Sequence, residues 1–327
     1  MKKVSEVYKK LCHYTTWEGL YGILEAQTLW ATNYRFLNDY SEIILFKDKL
    51  ISLITPYVLE GFEKRIKSLP DIIEKIQKEG GLPKVVQHDS EGFINLQYDA
   101  LGDEIYILSF CGQLENPTNS VNNGLLSQWR GYGAGGGAAL VFDTQKLEQI
   151  LEVEETRFEY SAIFLADIVY SDNEQKLKDE LSDNLSIIAD VSKQFFDHEI
   201  LNQQRQIDAS KAYAPFVNCI SRYKHYGFSE ENEVRVVALP TVLDERLLKL
   251  ADLKGVRLKP EKKRAVRQKN GRQIPYIALF NSTDIKLPIE KIIVGPHRDK
   301  EARAMRLRER FKKLNIEVAC SEIPYVE

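Results

Sequence analysis

The chain has 327 residues, 43% of them hydrophobic and 28% charged, with a formal net charge of −3. This is ordinary for a soluble globular protein, with length for one large or two average domains and a sizeable core. No apolar stretch approaches a membrane span, and the start MKKVSEVYKK leads into no secretory segment, so a cytoplasmic protein without membrane contacts is expected.

In chain order, Leu11-Cys12-His13-Tyr14-Thr15 reads as a short apolar strand ending in His13. Thr16 then caps a helix carrying Leu20, Ile23 and Leu24 on one face, and Leu29-Trp30-Ala31-Thr32-Asn33 reads as a second strand. A polar residue that ends a strand just before a helix cap sits where sheet rims hold ligands. From Glu42 to Ile76 the apolar spacing is helical, with Pro56 marking a break or a new helical start. Gly80-Gly81-Leu82-Pro83 makes a turn before a helical stretch to about Leu101.

Ile107–Gly112 and the run from Ala138 to Asp143 read as buried strands, with Leu126–Gly137 between them. The glycine run at 135–137 lets backbone approach a ligand or a neighbouring strand, but it lacks the Lys and following helix of a Walker loop. Helices are expected from Leu147 through Leu151, from Gln175 to about Phe196, and from about Ile200 to Tyr223. The last of these delivers Lys224, His225 and Tyr226 toward the following strand.

Glu231-Asn232-Glu233-Val234-Arg235-Val236-Val237 places three charged residues at period two on an otherwise apolar strand. Glu231, Glu233 and Arg235 are therefore expected on one face, with Val234 and Val236 on the other. Beyond it come an excursion, strands at 274–280 and 290–294, a helix at 300–314 and a strand at 316–320. From Lys254 to Arg272 the excursion holds nine basic residues against the single acid Glu261, a local charge of +8. Such asymmetry suits a phosphate backbone, and the absence of aromatic residues within it favours a generic electrostatic contact over base stacking. A solvated loop or hairpin tip is the plainer alternative.

The four cysteines, Cys12, Cys111, Cys219 and Cys320, show no metal-ligand spacing, and no metal site is expected. With no repeats or low-complexity linkers, the expected architecture is α+β with a central mixed sheet. It forms one domain over 1–327, with helical insertions at about 43–103 and 147–222.

Several of these elements together resemble the bacterial DUF2971 family: His13-Tyr14-Thr15 leading through Ile23-Leu24 to Leu29–Thr32, Asn38-Asp39-Tyr40-Ser41-Glu42, Ser127–Gly133 and Glu231–Arg235. Ile292–Pro296 and Ser321–Pro324 also fit it. The His, Tyr, Glu order is similar, more distantly, to the ADP-ribosyltransferase superfamily, whose fold the sheet would then share. The resemblance implies NAD as substrate and a toxin or phage-defence role, with an acceptor protein or nucleic acid and an antitoxin as partners. It places His13, Tyr14, Thr15, Trp129, Arg130 and Tyr132 around NAD, and Glu233, Glu231 and Tyr132 at the reacting bond. Either Glu231 or Glu233 matches the family acid.

The chemistry agrees with such a set. Cleaving the bond between nicotinamide and ribose releases a neutral leaving group, so no general acid is needed. A carboxylate must face the developing oxocarbenium, a ring must support nicotinamide, and a polar group must fix the adenosine ribose. Glu233, Tyr132 and His13 supply these, Glu231 would activate the nucleophile, and Arg130 or Arg235 would pair with pyrophosphate or a carboxylate. Two other readings are carried: a metal-dependent hydrolase or nuclease using Glu231 and Glu233 with His225 nearby, and a non-catalytic nucleotide or nucleic-acid sensor.

Overall fold

A computed structural model describes residues 3–37, 40–67, 70–102, 104–113, 120–133, 135–170, 173–200, 208–281 and 286–324. Asn38 and Asp39, the first two residues of the Asn38–Glu42 element, lie outside the described residues. The first part of the chain forms α1 (Val4–Val7), β1 (Lys10–Thr15), α2 (Trp17–Ala26), β2 (Leu29–Asn33), α3 (Tyr40–Ile66), α4 (Pro70–Lys78), α5 (Leu82–Asp99) and β3 (Tyr106–Gln113). The middle adds α6 (Ser120–Asn123), α7 (Leu126–Tyr132), β4 (Ala138–Asp143), α8 (Thr144–Arg157), β5 (Tyr160–Asp167), β6 (Val169–Tyr170), α9 (Glu174–Ile200), α10 (Ser210–Arg222) and β7 (Tyr223–Lys224). The last part holds β8 (Glu233–Pro240), α11 (Glu245–Leu253), β9 (Arg264–Lys269), β10 (Arg272–Leu279), β11 (Ile289–Val294), α12 (Lys300–Arg310) and β12 (Glu317–Cys320). The architecture is mixed α+β, as expected.

These elements divide into two compact units, one of residues 37–103 and 168–228, the other of residues 2–36, 104–167 and 229–327. The first is helical. Its α3 stacks against α5 and α9, α10 packs on α9, and β6 pairs with β7 in parallel. Helix α3 runs unbroken through Pro56, contrary to the expected break. Ile54, Val58 and Phe62 are buried on either side of the proline, and their burial outweighs a helix-interior penalty of about 3 kcal/mol.

The second unit is a large sheet in the order β12-β11-β4-β1-β3-β2-β10-β9, with β8 joined to the other edge of β3 and β5 to β8. Only β11 and β12 pair in parallel among the ladders of this sheet in the described residues. The expected second insertion is corrected here. Residues 144–167 form α8 and β5, and β5 pairs with β8, so the helical unit resumes at 168.

One face of the sheet, with Leu11, Ala31, Leu108, Phe110, Leu140, Val234 and Val236, builds the main core together with Leu20 and Leu24 of α2. Thr16 caps α2 as expected, its side chain accepting from Gly19 N–H at 3.2 Å. The glycine run has a steric purpose. A Cβ at Gly137 would stand 2.2 Å from the Thr15 carbonyl oxygen, so only glycine lets the start of β4 close on the end of β1.

The basic excursion leads into a β-hairpin, β9–β10. Asn270 and Gly271, both at positive φ, make the two-residue turn between β9 and β10. Its base is locked: Glu154, fully buried, accepts from Lys262 Nζ at 2.5 Å, Tyr160 hydroxyl at 2.8 Å and Phe280 N–H at 2.9 Å. Lys262, expected from sequence among basic residues suited to a phosphate backbone or a solvated loop, is therefore an internal ion-pair residue.

Candidate active site

Strand β8 begins at Glu233, not at Glu231. Asn232 adopts φ of 43°, and the preceding residues Tyr226–Glu231 form a 3₁₀ helix. This left-handed residue interrupts the alternation, so the expected single face for Glu231, Glu233 and Arg235 is corrected. The backbone kink is secured by the Asn232 carbonyl, which accepts from Gly112 N–H at 2.8 Å.

Glu233 and Arg235 do share a face and pair with each other. Arg235 Nε donates to Glu233 Oε1 at 2.8 Å and Nη2 donates to Oε2 at 3.1 Å, a two-pronged contact, with both side chains buried. The register across β3 sets Glu233 opposite Cys111 and Arg235 opposite Ser109, and Cys111 in turn stands opposite Cys12 of β1. Tyr14, two residues beyond Cys12, lies on that same face.

Tyr14 is a buried anchor. Its hydroxyl accepts from Leu125 N–H at 2.9 Å, its ring meets Trp129 edge-on at 4.9 Å, and burial pushes the phenol well above its usual range. Trp129 is 2% exposed, with its indole N–H on the Asn123 carbonyl at 2.9 Å. It docks α7 onto the sheet, which is a packing role, while Arg130 and Tyr132 lie on the exposed side of that helix.

His13 occupies the opposite face from Glu233, with its ring 5.7 Å from Phe110 of the main core. Its Nδ1 donates to the Ser109 carbonyl at 3.0 Å, which leaves Nε2 as the acceptor, and desolvation lowers its pKa from 6.5. This bond spans a split in the sheet. Strand β1 pairs with β3 only from Lys10 to Cys12, and β2 pairs with β3 only at Thr32 and Asn33. Between them, residues 108–110 of β3 have no strand partner on that edge among the described residues, and His13 reaches into the opening. Thr15 stands at its rim, its Oγ1 2.1 Å from where a Cβ of Gly19 would sit.

The expected constellation is thus brought together in part. Glu233, Arg235 and Tyr14 share one face, His13 approaches the same stretch of β3 from the other, and Glu231 lies outside the strand. Among the described residues no group of three His, Cys, Asp or Glu side chains is placed to hold a metal ion.

A large mixed sheet that splits around β3, with a carboxylate–guanidinium pair beside the split, defines an α+β protein with a candidate site at a strand opening. Over residues 128–236 the chain is similar to the family DUF2971, described as a protein of unknown function. That stretch runs from α7 into β8 and includes Trp129, Arg130, Tyr132, Glu233 and Arg235. No curated protein and no solved structure matches the chain.

Proposed function

We propose that the protein is an ADP-ribosyltransferase that uses NAD as substrate. The observation that carries this reading is the split beside β3. His13 binds the Ser109 carbonyl inside the opening from one face of the sheet, and Glu233 stands one register row away on the other face, opposite Cys111, so that a ligand would have to enter the split to meet both. Openings between diverging strands expose backbone groups that a ligand can satisfy, and they concentrate polar side chains from several strands.

In this reading the Glu233 carboxylate, oriented by Arg235, faces the ribose carbon as its bond to nicotinamide lengthens. The bonding electrons leave with nicotinamide, which departs neutral. The acceptor oxygen or nitrogen then bonds to the same carbon and loses its proton. His13, neutral, offers Nε2 to a ribose hydroxyl. Arg130 and Tyr132 remain candidates for pyrophosphate and nicotinamide contacts, and the acceptor is a protein, a nucleic acid or water.

The test is incubation with NAD labelled in its adenylate half, following nicotinamide release and the destination of the label. Glu233→Gln preserves shape but removes the charge. Turnover should fall by about a hundredfold or more, with NAD affinity nearly intact. Full activity in Glu233→Gln would sink the mechanism. Label transferred to protein, to nucleic acid or to free ADP-ribose identifies the acceptor.

A further inference from the structure

The basic hairpin carries a second surface, where Tyr276 of β10 and Trp30 of the neighbouring β2 supply the aromatic side chains that the basic segment 254–272 lacks. Residues directly opposite one another in paired strands share a face. In β9–β10 this puts Arg272 beside Lys269, Ile274 beside Arg267, and Tyr276 on the same side. Strand β2 pairs with the other edge of β10, with Thr32 opposite Tyr276 and Trp30 opposite Ala278, so Trp30 joins that face as well.

The rings of Trp30 and Tyr276 stack there, with centroids 4.3 Å apart and planes at 30°, and the Arg267 guanidinium lies over Trp30 at 5.6 Å. Trp30 is nevertheless 44% exposed. The charges of the segment fall into two classes. Lys262 is consumed by Glu154, and Arg264 by Glu104 and Glu261. Among the described residues no carboxylate pairs with Arg267, Lys269 or Arg272. Arg267 donates from Nη2 to Thr32 Oγ1 at 3.1 Å, while its shielded Nε–H finds no acceptor there.

A stacked aromatic pair with Trp30 exposed and Tyr276 half-buried, edged by cations that pair with no carboxylate among the described residues, is complementary to a ligand with flat rings and repeated negative charge. We propose that this face binds single-stranded nucleic acid, with an unpaired base stacking on Trp30 and Tyr276 and the flanking phosphates meeting Lys269 and Arg272. Duplexes are disfavoured because their bases are already stacked on each other. The inference does not depend on the NAD reading, since it concerns binding alone.

The test is fluorescence anisotropy of labelled oligothymidylate and oligouridylate with the full-length protein, without NAD, against a duplex of equal length. The single strands should bind more tightly than the duplex; a preference between the two strands tells DNA from RNA. Trp30→Ala should weaken binding about tenfold or more, and Trp30→Phe should restore most of it. Lys269→Glu with Arg272→Glu should weaken binding to both strands and flatten its salt dependence. Equal affinity for the duplex, an unchanged dissociation constant in Trp30→Ala, or a loss that Trp30→Phe fails to restore would overturn the proposal. If Trp30→Ala does not fold, Trp30→Phe and the charge-reversed pair still decide it, because a non-binding wild type or an unaltered salt slope overturns it equally.

Discussion

Burial and a hydrogen bond pull His13 in opposite directions, and burial prevails: desolvation lowers its pKa from 6.5, while the bond to the Ser109 carbonyl raises it. The stability consequence has a definite sign. Above pH 6.5 the imidazole is neutral in both folded and unfolded chains; below it the unfolded chain takes up a proton that the folded site resists. Stability should therefore fall as pH drops through 6.5, by up to about 1.4 kcal/mol per pH unit from this group. Melting temperatures of wild type and His13→Asn between neutral and mildly acidic pH measure it, and the variant should show the flatter profile. Identical profiles would mean that His13 is not desolvated. Glu233 and Arg235 illustrate what is legible at this scale. Their alternation with Val234 and Val236 follows from strand geometry alone. Glu231 was misplaced because a single residue, Asn232, takes a left-handed conformation that asparagine tolerates and no periodicity reveals.

The β9–β10 hairpin shows how an element reassigns its residues. Nine basic residues in sequence read as one basic run, a phosphate contact or a solvated loop, yet the fold sends them to different environments: Lys262 is buried on Glu154, Lys263 is exposed, and Arg267 lies over Trp30. Lys262→Met should destabilise the protein by about 3–5 kcal/mol, because it leaves the Glu154 carboxylate buried without its cation. Lys263→Ala should change stability by no more than about 0.5 kcal/mol. Urea unfolding of both variants separates them, and equal midpoints would refute the ion-pair role. The hairpin did carry a readable signal in Asn270-Gly271, the favoured pair for a two-residue turn, but the surrounding charge masked it. Helix α11 and strand β5 are not legible for a related reason: α11 is short, β5 buries its residues without a clean alternation, and neither pattern alone distinguishes helix, strand and loop.

For the whole molecule, a net charge of −3 conceals a segment from Lys254 to Arg272 of +8, so its interactions depend on where charge lies more than on its sum. No helix among the described residues is long and apolar enough to cross a membrane. If NAD is a ligand of the folded chain, a concentration about a hundredfold above its dissociation constant should stabilise the protein by about 2.7 kcal/mol, a shift of several degrees in melting temperature. His13→Ala should shrink that shift; no shift in the wild type would remove the NAD proposal. The sequence by itself determined the mixed α+β class, the unit from β1 through the Thr16 cap to β2, the glycine-tight start of β4, and the Glu233–Arg235 alternation. Each of these follows from contacts within a few residues or from the dihedral and side-chain periods of one element. Tertiary structure alone decided that His13 and Glu233 occupy opposite faces, that one edge of β3 has no strand partner between β1 and β2 among the described residues, and that Trp30 meets Arg267. These depend on strand register between distant segments, and a slip of one residue in register exchanges the two faces of a strand.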